Sequence, residues 1–595
     1  MLILCCLAGG LTRFVFSAQH TVGQQYDLRV VNVDTGLEYV RIQEAINALE
    51  TLNGHVIRVG YGVFQECLVV NKSVSIVGES PEFSVIDGMR GSVVVDVVSD
   101  GVEIRDLTIR NGVIGLRLDH ADNCRIVDNV LYDGSYGLRL YHSRNAFVAG
   151  NRVSGFSYFG VELDSSGNST LRGNWLSQNQ YGFGVDGGLL FDFVNDVDDS
   201  NFVNGKPIRY LVNQRSLTVD SSTLGDVGYL GFVNSSNIVV KDLEVQNNVQ
   251  GVLFAYVTDS SVSDVKVSDN WNGVYVAHSR NISVSEIKAT RNFDYGIKFF
   301  NSSGSRAFRN DVNNNGWAGI GLFGSPHSIL DLNEASFATY DLHLVYTNDS
   351  LITRNTAIPK ASGYSIALYY SHNNSIHHNT FQNSLIFTEM RNHTRFTPTN
   401  NWNNTVEGNF WEPYEGRDGD KDGIGDFAYK VGVNNLDYYP LMGSFSEFSV
   451  AFENAEYSLF VISNSTISEV NFNFGDGTMA FAAVGQAGAL GFCRVAVSEA
   501  LIRALGDVEL GFLVNGKEPV VIRRWSEGTF AYWYVSFDNI AAQDWGLLWL
   551  VVSGVVVSLV ALGAVIGVYW MRRKRSEKKS LIEVNIKSLK YALKA

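Results

Sequence analysis

The sequence predicts an all-β chain: a right-handed parallel β-helix, then a small β-sandwich, then one transmembrane helix near the C-terminus. Three observations carry this. A glycine-led segment recurs every 22–23 residues, its short apolar alternations have the period of strands and not of helices, and a long uncharged apolar run closes the chain.

In chain order, Leu2 to Leu11 is a short apolar stretch followed by Val15-Phe16-Ser17, so residues 1–17 read as a signal-like segment, without the usual basic start. Ile42, Ala45, Ile46 and Leu49 recur at helical spacing. They predict a short amphipathic helix over 41–49 that caps the first rung, which begins at Val56-Ile57-Arg58-Val59; an uncapped rung would be an open sheet edge.

The rungs follow. Gly115-Leu-Arg-Leu, Gly137-Leu-Arg-Leu, Gly160-Val-Glu-Leu and Gly182-Phe-Gly-Val are spaced by 22, 23 and 22 residues. After an interruption, Gly251-Val-Leu-Phe, Gly273-Val-Tyr-Val, Gly296-Ile-Lys-Phe and Gly319-Ile-Gly-Leu are spaced by 22, 23 and 23. One strand set per unit, repeated at one coil per period, defines a solenoid over 27–445, with an insertion at 192–217 expected to protrude as a loop or hairpin. Asparagine keeps two columns of its own. Asn129, Asn151, Asn174, Asn310, Asn333 and Asn379 stand fourteen residues after the repeat position, and Asn123, Asn145, Asn168 and Asn281 eight after it. Asparagine tolerates left-handed backbone and its amide reaches the amide one rung away, so both columns read as turn-fixing ladders.

Residues 446–540 alternate differently, in Phe448-Ser-Val-Ala-Phe452, Tyr457-Ser-Leu-Phe-Val461 and Phe530-Ala-Tyr-Trp-Tyr-Val535, which predicts the β-sandwich. Trp545 to Trp570 is 26 uncharged residues. As a helix it would be about 39 Å long, more than the roughly 30 Å of bilayer hydrocarbon. Arg572-Arg573-Lys574-Arg575 marks the cytoplasmic side, so the tail 571–595 is expected inside the cell and the domains before it outside. That tail holds nine Lys/Arg and two Glu, so of the net charge of −15 the rest of the chain carries −22. Such a body excludes phosphate-neutralising nucleic-acid binders. Ten Asn-x-Ser/Thr sequons between Asn71 and Asn464 suit an exported glycoprotein. Cys67, Cys124 and Cys493 are too few and too far apart for a disulfide framework and read as buried apolar residues.

Two residue sets have metal-binding character. In Asp418-Gly-Asp420-Lys-Asp422-Gly-Ile424-Gly-Asp426, carboxylates at positions 1, 3 and 5 converge on a hard cation, glycine at 6 permits the turn, Ile424 offers its carbonyl at 7 and Asp426 stands at 9. This is an EF-hand-type Ca²⁺ loop up to its ninth residue, with Tyr429 where a bidentate glutamate would stand. His120 and His142, five residues after successive repeat glycines, are expected as rung neighbours and are candidate copper ligands, against a plain turn column. No catalytic constellation is assembled by the register: Asp198-Asp199 and Asp119-His120 are the tempting pairs. Trp271, Trp317, Tyr136, Tyr158, Tyr181 and Tyr295 precede repeat glycines, where they either stack on sugar faces or pack at turns.

Taken together, Ile42-Gln-Glu-Ala-Ile46, Asn71-Lys-Ser-Val-Ser-Ile-Val-Gly78, Val203-Asn-Gly-Lys-Pro-Ile-Arg-Tyr-Leu211, and the ending from Gly408-Asn-Phe-Trp411 to Tyr438-Tyr-Pro-Leu441 resemble the NosD-like periplasmic copper-binding proteins, within the pectin-lyase-like set of carbohydrate-binding and sugar-hydrolase β-helices. The resemblance covers about residues 30–445. It implies copper handling for the named bacterial members and a surface role for membrane-tethered archaeal ones. The anchor and the absence of a Met-rich motif favour the second here: a non-catalytic scaffold on the cell membrane that binds glycans or envelope proteins, with copper delivery or a polysaccharide hydrolase or lyase as alternatives.

Overall fold

The computed structural model describes residues 29–541 except 383–388, 392–393, 397, 454, 487 and 507–509. The signal-like segment 1–17, the apolar run 545–570 and the basic tail 571–595 lie outside the described residues, and among those described no helix is long and apolar enough to cross a membrane. The chain is an all-β parallel β-solenoid followed by a two-sheet domain, with helix confined, among the described residues, to four short segments. It falls into two compact units, one running to Arg306 with Asn310–Ser325 added, the other made of Ala307–Arg309 and the chain from Pro326 onward.

In the first unit, strands one repeat apart pair in parallel and in register. Leu116-Arg117-Leu118 pairs with Leu138-Arg139-Leu140, that with Val161-Glu162-Leu163, and that with Phe183-Gly184-Val185. Side chains alternate across a strand, so the first and third of each triplet point inward and are buried while the middle one faces out. The repeat glycines are demanded by space. A Cβ on Gly137 would lie 2.5 Å from the Gly160 carbonyl oxygen, and one on Gly273 2.4 Å from that of Gly296.

Both asparagine columns are ladders, of opposite character. Asn129 donates to Asn151 Oδ1 at 3.1 Å, Asn151 to Asn174 at 3.0 Å and Asn174 to Asn201 at 2.8 Å, all buried. The other column is exposed, with φ of 59° at Asn123, 56° at Asn145 and 57° at Asn168, and its amides also bond rung to rung. The helix Ile42–Asn47 buries Ile42, Ala45 and Ile46. Glu66 takes its N-terminus, accepting from the Ile42 N–H at 2.8 Å and the Gln43 N–H at 3.1 Å. Leu49, placed on the buried face by its spacing, is 91% exposed, because the helix stops at Asn47.

Residues 192–217 rejoin the coil. Asp196–Val197 pairs in parallel with Thr170-Leu171, Phe202–Val203 pairs with Trp175-Leu176, and a turn at Asn204-Gly205 leads antiparallel into Lys206–Val212. That strand starts a second stack through Tyr229–Val233, Gln250–Ala255, Asn272–Ala277 and Tyr295–Phe300. The free edge of Tyr181–Asp186 meets this stack at its third member: Gly182 donates to the Asn247 carbonyl at 2.6 Å and Val249 to that of Phe183 at 3.0 Å. The insertion therefore shifts the register of coils that close up again around it.

In the second unit further coils stack on a buried ladder, Asn333, Asn355, Asn379 and Asn409, each amide donating to the next at 2.8 to 2.9 Å. Beyond them, a five-stranded antiparallel sheet and a smaller sheet share one apolar core that includes Leu459, Val495, Met479, Phe512 and Val535, forming a β-sandwich. Cys124 and Cys493 are buried, but Cys67 is exposed: it stands on the outward side beside the buried Glu66, which corrects the expectation of three buried thiols.

Candidate functional site

The two stacks of the first unit meet at a seam whose interior is closed by buried apolar side chains such as Leu253 and Tyr275. Its outward column two residues after each repeat glycine holds Arg117, Arg139 and Glu162 on one side and Tyr275 and Lys298 on the other. Four residues after the glycine, Asp164 and Asp186 are register partners, one rung apart. Arg139 serves both its neighbours: Nε stands 2.8 Å from Glu162 Oε2, in ion contact without hydrogen-bond alignment, and Nη2 is 3.3 Å from Asp164 Oδ2. Burial, moderated by Arg139 and augmented by Asp164 and Asp186, brings the Glu162 carboxyl up to about 7. Asp186 is exposed by area, yet the protein around it raises its pKa, with Asp164 adding to the rise and the Gly187 N–H, at 2.8 Å, opposing it. Lys298 Nζ lies 3.7 Å from Asp294 and within 5.0 to 5.6 Å of the Tyr275, Tyr295 and Phe323 rings.

An aromatic row borders these charges. Tyr136 meets Tyr158 at a centroid distance of 5.1 Å, Tyr158 meets Trp271 at 5.0 Å, and Trp271 stacks on Phe293 at 4.3 Å. Tyr136, Tyr158 and Trp271 are half-buried and Phe293 is 52% exposed, so the row presents ring faces and edges outward. The aromatic residues marked by sequence thus divide. Tyr181 and Tyr295 are buried packing residues, whereas Tyr136, Tyr158 and Trp271 are half-buried members of the row and Trp317 is exposed. Glu162, Asp294, Lys298 and Arg139 were missed. Their signal was the second position after the repeat glycine, where Gly160-Val-Glu and Gly296-Ile-Lys put charge on an outward column, and, for Asp294, the residue after Phe293.

His120 and His142 are rung neighbours whose rings stack at 5.0 Å and 24°. Both are exposed turn residues with φ of 53° and 47°, and His120 Nδ1 contacts Asp119 Oδ1 at 2.7 Å. Tyr256 and His278 stack in the same way one stack further on, at 4.9 Å. Asp198 and Asp199 are taken up by Arg172 and Arg209 in separate ion pairs.

In the second unit the acidic loop closes as its spacing predicts. Carboxylate oxygens of Asp418, Asp420 and Asp422 lie within 4.8 Å of one another, the one such metal-holding group of His, Cys, Asp or Glu among the described residues. Asp418 is buried and accepts from the Asp422 and Gly423 N–H groups at 3.0 and 3.1 Å; Asp422 accepts from Ile424 at 2.8 Å, and Gly423 turns the chain at φ 82°. Asp426 Oδ2 accepts from Gly419, so it braces the loop. Burial and the Asp420 and Asp418 charges raise the Asp422 pKa. From the sandwich, Arg523 donates to the Asp420 carbonyl at 2.8 Å and to its Oδ2 at 2.9 Å.

Comparison with known proteins adds the lineage. No curated protein matches the chain. Among solved structures it is similar to the A-module of the Azotobacter vinelandii mannuronan C-5 epimerase AlgE6, at 15% identity over 63% of this chain and 95% of that one, with a TM-score of 0.25. It is also similar to the periplasmic alginate epimerase AlgG (13%, 66% and 89%, TM-score 0.26) and to the catalytic domain of a GH87 α-1,3-glucanase (11%, 53% and 63%, TM-score 0.25). At these values no functional argument rests on them. The profile of one family matches residues 65–206 and 209–416, more than half of the chain. The chain belongs to the family described as periplasmic copper-binding protein (NosD).

Proposed function

We propose that this NosD-family chain is an exported, membrane-anchored β-helix protein that binds a glycan strand along the aromatic row on the surface of its first unit. The observation that carries this reading is the row Tyr136, Tyr158, Trp271 and Phe293, whose rings follow one another at 4.3 to 5.1 Å beside polar side chains. Sugar rings present apolar C–H faces that stack on aromatic rings and hydroxyls that need polar partners, which is the chemistry of such a border. The family's periplasmic description agrees with an extracytoplasmic place for the β-helix, and the run 545–570 supplies the anchor in this reading. The loop Asp418, Asp420, Asp422, Ile424 and Asp426 serves in it as a structural Ca²⁺ clamp. The test is retention of the full-length protein in affinity gels cast with cell-envelope polysaccharides: retention that Phe293→Ala weakens supports the reading, and migration indifferent to every polysaccharide refutes it.

Copper is what the family description brings to mind, and His120 and His142 are the residues that would hold it here. Their fit is poor. Stacked rings aim their nitrogen lone pairs side by side and not at a common point, and Asp119, at 2.7 Å from His120, does not complete a converging group of three His, Cys, Asp or Glu donors with them among the described residues. No copper step is assigned.

Polysaccharide cleavage has one observation in its favour. Glu162, whose carboxyl burial brings up to about 7, and Asp186 face the same way one rung and two residues apart, so their Cα atoms are about 8 Å apart from strand geometry. A pair of carboxyl groups of which one is held toward its protonated form is what acid-assisted glycoside hydrolysis uses. Release of reducing ends by wild type but not by Glu162→Gln would establish it.

A further inference from the structure

The second unit contains a cavity of about 450 Å³ between the acidic loop and the sandwich, within the range of about 300–1,000 Å³ of small-ligand sites. Asp420, Asp422 and Ile424 of the loop line it, whereas Asp418 is buried and bonded to the Asp422 and Gly423 N–H groups. We infer that a Ca²⁺ ion held by this loop is an open centre, and that the cavity takes a neutral sugar whose vicinal hydroxyls complete the ion's shell. The inference rests on the reading of the loop as a Ca²⁺ site and adds ligand binding to its role as a clamp. The donor set leaves room for this. Ca²⁺ takes about six to eight oxygens, and the loop offers one from each of Asp418, Asp420 and Asp422 and the carbonyl of Ile424. Asp426 has an oxygen engaged by the Gly419 N–H, and Tyr429 stands where a bidentate glutamate would close the shell. About two or more positions are left for outside oxygens. They open on the cavity, since two of the three carboxylates and the carbonyl-bearing residue form its wall.

A second observation, independent of the acids, points to an occupant bearing acceptor oxygens. Arg494 on the cavity wall is 3% exposed, and its Nε has no hydrogen-bond partner. A buried donor left without an acceptor is costly, and an oxygen of the occupant is the group that relieves it. Tyr438 and Tyr439, both exposed, add hydroxyl-bearing side chains to the same wall. Charge then selects against an acidic sugar. Glu407 balances Arg494, and Arg523 balances Asp420. Asp418, Asp422, Asp426 and Glu527 remain, four carboxylates against the two charges of the ion. A uronate entering the cavity would meet this excess, whereas a neutral diol would not.

Tb³⁺ in place of Ca²⁺ tests this, because its luminescence lifetimes in H₂O and D₂O count the waters bound to the ion. The full-length protein is loaded with Tb³⁺ as wild type, Asp420→Ala and Val406→Trp, the last filling the cavity from an exposed position outside the loop. Methyl mannoside, its fully O-methylated form and methyl glucuronide are then added at millimolar concentration. The wild type should hold about two or more waters and lose at least one to methyl mannoside, and none to the O-methylated form or the glucuronide. Asp420→Ala should not bind Tb³⁺. Val406→Trp should bind it as wild type does and show no response to sugar. An ion with at most one water is closed and structural, which overturns the inference and leaves the Ca²⁺ reading standing. Waters that methyl mannoside does not displace, or that the glucuronide displaces as readily, overturn the assignment of a neutral sugar. Absence of Tb³⁺ binding in the wild type overturns both readings.

Discussion

The Tyr158 ring meets the Trp271 indole at 5.0 Å and 66°, although the two belong to different stacks of coils. The contact exists because the insertion displaces strands Lys206–Val212 and Tyr229–Val233 to one side and lets the edge of Tyr181–Asp186 close against Gln250–Ala255. A break in register thereby makes a continuous aromatic row out of two short ones. If that row is the sugar platform, Trp271→Ala removes its central member. Glycan affinity should fall about tenfold, about 1.4 kcal/mol. Indole fluorescence should also shift on adding ligand to wild type and shift less in the variant; an unchanged affinity in Trp271→Ala would remove the row from the binding surface.

The buried asparagine ladder should be costly to interrupt and the exposed one cheap. Asn355 donates to Leu330 and Thr353 carbonyls and to Asn379 Oδ1, each at 2.9 Å, and accepts from Asn333. Asn355→Ala strands several buried groups at once, and at about 1–3 kcal/mol for each unsatisfied group should destabilise the second unit by at least 2–3 kcal/mol. Asn281, at φ 56°, is exposed, and the hydrogen bond it donates, to exposed Asp259 at 2.8 Å, is open to water. Asn281→Gly should change stability by only a few tenths of a kcal/mol. Urea melts of the two variants provide the comparison.

A repeat glycine has been replaced by an ionisable group in the second unit. Asp341 stands in the glycine column, is fully buried, and leaves Oδ2 without a hydrogen-bond partner while Oδ1 accepts from Ala338 at 3.3 Å. Burial pushes its carboxyl up to about 8. The folded form therefore holds its proton where the unfolded chain, with an ordinary carboxyl, has released it. Stability from this site is fully present below about pH 4 and is lost as pH rises toward 8, at up to about 1.4 kcal/mol per unit. Asp341→Ser, the residue type at the equivalent Ser365, should raise the melting temperature at pH 8 and flatten that slope; an equal or lower melting temperature would show that Asp341 is compensated.

Acid should act oppositely on the joint between coils and sandwich within the second unit. His378 Nε2 contacts Glu407 Oε2 at 2.6 Å, Glu407 also pairs with Arg494 of the sandwich, and His377 Nδ1 faces His378 Nδ1 at 3.3 Å and Thr353 Oγ1 at 3.4 Å, with Arg354 nearby. Burial first, then the His378 charge, lowers His377 to about 4, and Arg494 with His378 outweighs burial to hold Glu407 at about 2. Unfolding lets His377 take a proton below its ordinary pKa, so stability is lost as pH falls from about 6.5 to 4. His377→Asn should remove that dependence. Because the Asp341 slope runs the other way over the same range, each is measured as the difference between wild type and its own variant.

The sequence reveals its solenoid through a steric rule: only glycine fits where a Cβ at Gly137 or Gly273 would strike the next coil's carbonyl, so the period is printed in the residues themselves. Buried asparagines are legible for the same reason, as one position has one partner per rung. The charged and aromatic surface at the seam of the two stacks is not legible. Its charges sit on outward columns where any polar residue is tolerated, and Tyr158 reaches Trp271 through a register shift that no local spacing encodes. Cys67 shows the limit of composition rules, since thiol burial depends on which side of the pleat the residue falls.

The acidic loop allows a sharp metal test because a cation already stands at it. Arg523 binds the Oδ2 of Asp420, and Asp418 spends both oxygens on the N–H groups of Asp422 and Gly423, which fixes the loop before any ion arrives. Three carboxylates with facing oxygens repel one another, so a Ca²⁺ ion would replace an incomplete compensation by a complete one. Calcium should therefore raise the unfolding temperature of the second unit relative to the same protein in EDTA, with about 2.7 kcal/mol of stabilisation at a hundredfold excess over Kd. Asp420→Ala should abolish the rise. Arg523→Ala separates the roles of the two cations: it should lower the unfolding temperature in EDTA, where the arginine does the neutralising, and leave or tighten the response to Ca²⁺. A temperature insensitive to Ca²⁺ in all three proteins would make the loop a turn held by Arg523 alone.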